Sequence, residues 1–165
     1  MINTVFDGPI FLLEDAADFP GWQDWQLVDP DRFNHATLGR LLVRKDSDTQ
    51  ATVRMFPEYR HGNMLNVMHG GATLGFIDVA LFGAARQFGI DDSSVALTLD
   101  LSTQFIGGGK MHVPLDAEVE LLRETNRLMF LRGKVVQDEG AYLVASFSAT
   151  IRKSATPVNP TAPVQ

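Results

Sequence analysis

Apolar and polar residues alternate through much of the second half of the chain. Between residues 95 and 106, one face would carry Val95, Leu97, Leu99, Leu101, Thr103 and Phe105, and the other Ala96, Thr98, Asp100, Ser102 and Gln104. A period of two predicts a strand with one apolar and one polar face. Similar patterns at 113–124, 128–137 and 141–153 are separated by turn sequences at 125–127 and 138–140. In the last of them, one face carries Ala141, Leu143, Ala145, Phe147, Ala149 and Ile151. These patterns predict a long antiparallel meander.

The first half contains a predicted hairpin and one predicted helix. Residues 38–45 and 51–56 are strand-like and flank a polar turn at 46–49. Residues 70–88 follow as a helix that ends before Gly89, a residue suited to a C-cap. The helix is apolar on nearly all sides, which is typical of a helix wrapped by other elements. One central helix with about six strands indicates an α+β fold.

The two ends of the chain lack this periodicity. Residues 1–35 mix short apolar pieces with prolines and glycine, and we interpret them as an irregular or weakly helical N-terminal arm. Trp22 and Trp25 are three apart, as on one face of a helical turn, and favour packing on the domain over ligand stacking. The predicted domain covers 36–153. The tail at 154–165 contains three prolines and is predicted to be disordered.

Composition excludes several classes of function. With 165 residues, of which 45% are hydrophobic, the chain is long enough for one domain with a core. Fourteen Lys and Arg against twenty Asp and Glu give a net charge of −6, the wrong sign for neutralising nucleic-acid phosphates. The absence of cysteine excludes disulfides, thiolate metal sites and a cysteine nucleophile. Nucleic acid is therefore not an expected partner.

The start of the chain shows no signal-peptide pattern. Acidic residues surround its apolar patch at 10–13, and no basic segment precedes that patch. The longest apolar region, 72–85, is interrupted by Asp78 and is too short to span a bilayer. We therefore expect a cytoplasmic protein with no membrane partner.

The segment 63–78 carries the most informative chemistry. A glycine pair, Gly70 and Gly71, opens the apolar helix, whose free N–H groups suit an oxygen that becomes negative. An ionised Asp78 within this helix is costly unless it is used or satisfied. It is either a catalytic carboxylate or a structural one satisfied across an interface. Gly71, Gly75 and Asp78 share one helix face, which fits close helix packing, a substrate path, or both.

Helix geometry constrains how these groups work together. At about 1.5 Å rise per residue, Gly70 and Asp78 lie roughly 12 Å apart along the helix. One carbonyl can hardly touch both groups of the same chain. If both act on one carbon, a second chain contributes one of them, and a two-fold dimer does so twice.

These residues together resemble a known family. Asn63, the His69-Gly70-Gly71 triplet, Asp78 and the strand at 96–101 are similar in order and spacing to hotdog-fold acyl-CoA thioesterases of the phenylacetate-degradation (PaaI-like) type. The resemblance implies a curved antiparallel sheet around a long helix, dimers that associate into a homotetramer, and hydrolysis of acyl-CoA to a carboxylic acid and free CoA. No cofactor is implied, because CoA is part of the substrate.

The resemblance also implies roles for individual residues. The Gly70 N–H would polarise the thioester carbonyl, and Asp78 of the neighbouring subunit would attack its carbon or activate water. Asn63 would orient the water or the thioester, although a simple turn role is an equal alternative. Thr98 would hold water or the carboxylate, or is an ordinary structural hydroxyl. His69 is interpreted as fixing the loop through hydrogen bonds rather than as a proton shuttle.

Four further residues are candidates for substrate binding. Gly71 and Phe82 lie on the predicted helix, where they would border the acyl group. Lys110 and Arg152 would lie at strand ends and meet the CoA phosphates, or are solvated charges. The glycine run before Lys110 lacks phosphate-loop spacing and is predicted to be a turn.

Other functions remain as alternatives. A hotdog hydratase acting on an enoyl thioester would need an acid/base pair, usually with histidine, and a non-catalytic acyl-CoA binder would keep the fold and pocket. The Gly-x-Ser-x-Gly elbow of α/β-hydrolases is missing. No metal is predicted, because metal-ligand spacing is not found among His35, His61, His69 and His112.

Overall fold

A curved antiparallel sheet packs around one long helix in this computed structural model, which describes residues 11–89 and 94–157. The strands are β1 (Phe11–Asp15), β2 (Gln23–Leu27), β3 (Leu41–Lys45), β4 (Gln50–Met55), β5 (Ser94–Phe105), β6 (Leu115–Glu124), β7 (Leu128–Gln137) and β8 (Tyr142–Pro157). Their order in the sheet is β1-β2-β3-β4-β6-β7-β8-β5. The helix α1 is Gly70–Gln87, and shorter turns are a π-helical turn at Asn34–Leu38 and a 3₁₀ turn at Tyr59–His61. The α+β prediction, the hairpin β3–β4 and the helix are confirmed.

The helix α1 is buried on most of its circumference. Its apolar residues pack on inward-facing side chains of the sheet; the buried positions are Thr73, Phe76, Ile77, Val79, Ala80, Leu81, Gly83, Ala84 and Ala85. The remaining face is exposed or half-buried. This face, here called the open strip, consists of Gly71, Leu74, Gly75, Asp78 and Phe82. Apart from Gly70 and Ala72 at its start and Arg86 and Gln87 at its end, the helix is therefore covered by its own chain everywhere except along the open strip.

The described part of the sheet has eight strands rather than about six. The two additional strands lie in the arm. β1 pairs antiparallel with β2, and β2 pairs antiparallel with β3. The interpretation of the arm as irregular or weakly helical is thus wrong for these residues, while residues 1–10 lie outside the described residues. The turn residues Pro20 and Gly21 separate two short strands, and strands of five residues leave little alternation to detect.

Side chains fix the arm to the domain. Arg40 contacts Asp18 with both terminal nitrogens at 2.7 Å and binds Asp24 at 2.6 and 2.8 Å. This hydrogen bonding by Arg40 lowers the pKa of Asp18 from its ordinary value of 3.8. The predicted packing role of Trp22 and Trp25 is confirmed, but they face opposite sides of a strand rather than one helical face. Trp22 lies between the guanidinium groups of two arginines, and Trp25 is buried against α1.

The edge strand β5 contains a bulge that reverses its alternation. Register shifts fall between Thr98 and Asp100, and Leu99 is the extra residue. After the bulge, the inward and outward faces of β5 are as predicted. Before the bulge, the predicted assignment is wrong: Thr98 lies on the inward face opposite buried Ile151, and Leu97 lies on the outward face opposite exposed Arg152. Leu97 and Leu99 are consequently 48% and 55% exposed at the edge of the sheet.

The last strand is longer than predicted. β8 continues to Pro157, so disorder does not begin at residue 154, and the rest of the predicted tail, 158–165, lies outside the described residues. None of the helices in the described ranges has the length and hydropathy needed to cross a bilayer.

Candidate active site

The first N–H groups of α1 have no helical acceptor. His69 is the N-cap, and its Nδ1 accepts a hydrogen bond from the Gly71 N–H at 2.9 Å. Gly70 is the first helical residue, where the N–H has no intrahelical carbonyl to reach. Gly70 is also exposed, and a Cβ at this position would lie 3.7 Å from the Phe105 ring. Of the first two glycine amides, only that of Gly70 is thus left to bind an incoming oxygen.

The same hydrogen bond determines the tautomer of His69. Because Nδ1 accepts the hydrogen bond from the Gly71 N–H, the neutral ring of His69 carries its proton on Nε2. The His69 backbone N–H donates to the carbonyl of His61 at 2.8 Å. His69 therefore makes loop-fixing hydrogen bonds of the kind the sequence suggested.

His61 is a supporting residue that sequence reasoning missed. It is 2% exposed; Nδ1 accepts from the Glu58 N–H at 2.8 Å, and Nε2 lies 2.7 Å from the carbonyl oxygen of Thr37. The ring thus joins the π-helical turn to the loop before α1. No local pattern signals this role, because Thr37 is 24 positions away in the sequence.

Asn63 holds the loop that leads to the helix. Its Oδ1 accepts hydrogen bonds from the N–H groups of Leu65 and Val67 at 2.8 and 3.4 Å. The side-chain oxygen is therefore engaged in a turn, while the amide nitrogen donates no hydrogen bond to residues 11–89 or 94–157. Its proposed role toward water or the thioester stays a prediction.

Asp78 and Thr98 form a direct pair. The Thr98 hydroxyl donates to Asp78 Oδ1 at 2.7 Å, and the carboxylate is half-buried on the open strip. The bulge in β5 makes this contact possible because it turns Thr98 inward. Within the described ranges, Oδ2 of Asp78 accepts no hydrogen bond. The carboxylate is therefore oriented by one oxygen and free at the other.

Gly70 and Asp78 are not brought together within one chain. Both belong to α1, so they remain separated by roughly 12 Å along the axis. A cleft of about 470 Å³ lies at the helix start; His69, Gly71 and Ala72 form one side, and Phe33, Thr37 and Arg60 the other. A larger cavity of about 570 Å³ lies against β4, β6, β7 and β8 and contains none of the predicted site residues.

The predicted substrate-binding residues have different surroundings. Gly71 lines the cleft, and Phe82 is half-buried on the open strip. Lys110 forms an ion pair with Asp138 and lies over the Tyr142 ring. Arg152 is exposed on the outer face of β8, away from α1. The first two lie beside the candidate site; the charge of Lys110 is already paired, and Arg152 points elsewhere.

Comparison with known proteins shows what the chain is similar to. Residues 65–144 match the family model of the thioesterase superfamily. This stretch of the chain is similar to a thioesterase-superfamily domain. No curated protein sequence matches it significantly. The match begins just before His69 and includes α1, β5, β6 and β7.

Solved thioesterase structures share the fold. A mutant of the phenylacetic acid degradation protein PaaI from Thermus thermophilus is 25% identical, with 75% of this chain and 98% of that chain covered and a TM-score of 0.61. The PaaI protein of the phenylacetic acid degradation operon of E. coli is 17% identical over 78% and 89%, with a TM-score of 0.65. A hypothetical thioesterase from Streptococcus pneumoniae, crystallised with coenzyme A, is 17% identical over 74% and 92%, with a TM-score of 0.64.

These similarities confirm the predicted resemblance to PaaI-like hotdog thioesterases and the enzyme class, a thioester hydrolase. The matched region contains Gly70, Asp78 and Thr98, whereas the arm strands β1 and β2 precede it.

Proposed function

We propose that the protein hydrolyses an acyl-CoA thioester, with the carbonyl placed between the Gly70 N–H of one subunit and the Asp78 carboxylate of its partner. The pair formed by Asp78 on the open strip and Thr98 on β5 carries this proposal, because the hydrogen bond to Oδ1 orients the carboxylate while Oδ2 accepts no hydrogen bond from the described residues. The presence of coenzyme A in the streptococcal neighbour supports CoA as the thiol carrier.

The chemistry requires a polarised carbonyl and an attacking oxygen. A helix N-terminal N–H stabilises the negative oxygen of the tetrahedral intermediate. Asp78 then either attacks the carbon to give an anhydride, which water later hydrolyses, or removes a proton from the attacking water. In both routes the departing CoA thiolate takes up a proton. The products are a carboxylic acid and free CoA, and no cofactor takes part.

The exposed apolar surface supports a dimer. Leu97 and Leu99 lie exposed on the long edge strand β5, and the open strip leaves Leu74 40% exposed on α1. Pairing of β5 with its copy would cover the edge and bring each Asp78 toward the partner's helix start. We propose a homodimer that pairs further into a tetramer in the cytoplasm.

Replacing Asp78→Asn tests the carboxylate. We expect loss of turnover by about a thousandfold or more, since a nucleophile or general base is removed, whereas binding of a non-hydrolysable acyl-CoA thioether persists. Release of free thiol and calorimetric binding measure the two quantities. A change in enoyl absorbance without thiol release would indicate a hydratase, and binding without any turnover by the wild-type protein would indicate a binder.

Subunit complementation tests the shared site. Gly70→Pro removes the N–H and adds a ring near Phe105, and the helix tolerates proline because Gly70 is the first helical residue and His69 has a compatible ψ of 135°. Each variant alone should be inactive. Random mixing of the Gly70→Pro and Asp78→Asn chains gives about half mixed dimers, each with one intact site, hence about a quarter of wild-type activity. No recovery after verified subunit exchange would contradict a site shared between subunits.

A further inference from the structure

The arm places an aromatic side chain on the open strip. Phe33 immediately precedes the π-helical turn and is 55% exposed, although its ring touches α1. A Cβ added to Gly75 would lie 3.2 Å from Cζ of Phe33, so the glycine allows the ring to approach the helix backbone. The ring also lines the 470 Å³ cleft that includes His69 and Gly71.

The segment that carries Phe33 is held in place. The Arg60 guanidinium donates to the Ala36 carbonyl at 2.9 Å, and the His61 ring contacts the Thr37 carbonyl at 2.7 Å. Leu38, at the end of the turn, is fully buried. Phe33 is therefore presented by a pinned segment rather than by a free arm.

The cleft beside Phe33 suits an apolar group. Its helix side is formed by Gly71 and Ala72, and Ala36 lies on the opposite side. The cation in the cleft, Arg60, already contacts the Ala36 carbonyl and the Glu58 carboxylate. An exposed ring above small side chains offers apolar contact area to a chain or ring that enters from the helix start.

We propose that Phe33 is a specificity-determining residue that forms the end wall of the acyl pocket and limits the length of the acyl group. This inference rests on the proposed function, because the acyl group would extend from the carbonyl held at Gly70. The ring lies between Gly70 and Asp78 on the same helix, at Gly75, where it would stop a chain that runs along the open strip.

The test compares a length series of straight-chain acyl-CoA substrates, from about two to about twelve carbons. For Phe33→Ala we expect the ratio of kcat/KM for long over short substrates to rise about tenfold or more, the scale of one or two methylenes in an apolar pocket. Phe33→Trp should shift the ratio in the opposite direction. Phe130→Ala is the matched control, because it removes the same side chain from the outer face of β7.

Two further measurements complete the test. Binding of acyl-CoA thioethers of the same lengths reports the pocket without turnover, and light scattering reports the oligomeric state. A length profile unchanged in both turnover and binding, an equal loss for all lengths, or dissociation of the Phe33→Ala oligomer would overturn the role of Phe33. Failure of the proposed function looks different, since the wild-type protein would then release no thiol from any substrate.

Discussion

At the scale of single residues, the Thr98 hydroxyl orients the carboxylate of Asp78. Thr98→Val removes this hydrogen bond while keeping the shape of the side chain. We expect kcat to fall about tenfold, because a hydrogen bond to a charged group contributes about 1.5–3 kcal/mol. Steady-state kinetics measure the loss. Thr98→Ser keeps the hydroxyl and should retain most activity; an equal loss in both variants would contradict the orienting role.

The N-cap is the second residue-scale feature. His69→Ala removes the acceptor of the Gly71 N–H, and we expect the free energy of unfolding to drop by about 1 kcal/mol, as for loss of other N-caps. Urea denaturation measures this change. His69→Asn supplies another acceptor and should restore most of the stability. If the two variants were equally destabilised, the cap would not be the cause.

Much of the site's local chemistry could be read from the sequence, whereas its supports could not. Gly70 and Asp78 lie in one helix, so their separation follows from helix geometry alone. The supporting role of His61 depends on its contact with the Thr37 carbonyl, which is distant in sequence. The inward orientation of Thr98 depends on a bulge that is defined only by the pairing of β5 with β8. Simple alternation assigned Thr98 to the polar outer face. The resemblance, rather than the pattern, identified it as a partner of the carboxylate.

At the scale of elements, the contact between β2 and α1 limits the size of the side chain that the helix can have at position 83. A Cβ at Gly83 would lie 2.9 Å from the buried Trp25 ring and 3.2 Å from a Val53 methyl group. Gly83→Ala gains up to about 1 kcal/mol in helix propensity but incurs an overpacking cost of about 1–3 kcal/mol. We therefore expect a net loss of about 1 kcal/mol in chemical denaturation.

A double-mutant cycle checks this explanation. In a Trp25→Ala background the ring is gone, so Gly83→Ala should become neutral or stabilising. The same loss in both backgrounds would mean that the ring is not responsible. The arm strands escaped prediction for a related reason: their stability comes from contacts such as Trp25 on Gly83 and Arg40 on two aspartates, which no local pattern displays.

At the scale of the whole molecule, the proposed activity depends on assembly through β5. Leu97→Glu with Leu99→Glu places two charges on the exposed edge, and we expect a monomer whose turnover falls about a hundredfold or more, because each site loses a group from its partner. Light scattering and thiol release measure the two effects. Leu122→Glu, at an exposed position on β6, is the control. A fully active monomer would refute the shared site.

The two edge strands of the sheet, β1 and β5, differ in length and in charge. Among the described residues, β1 has five residues and ends in Glu14 and Asp15, whereas β5 has twelve; exposed leucines lie on both strands, Leu12 and Leu13 on β1 and Leu97 and Leu99 on β5. A short edge strand with charged residues discourages the addition of further strands, whereas a long edge strand with exposed leucines favours it. If two copies pair through β5, that edge is covered in both copies. Only the β1 strands then remain at the outer edges of the joined sheet. In the proposed dimer, we therefore expect the short, charged β1 strands at the outer edges to limit further growth of the sheet by strand addition.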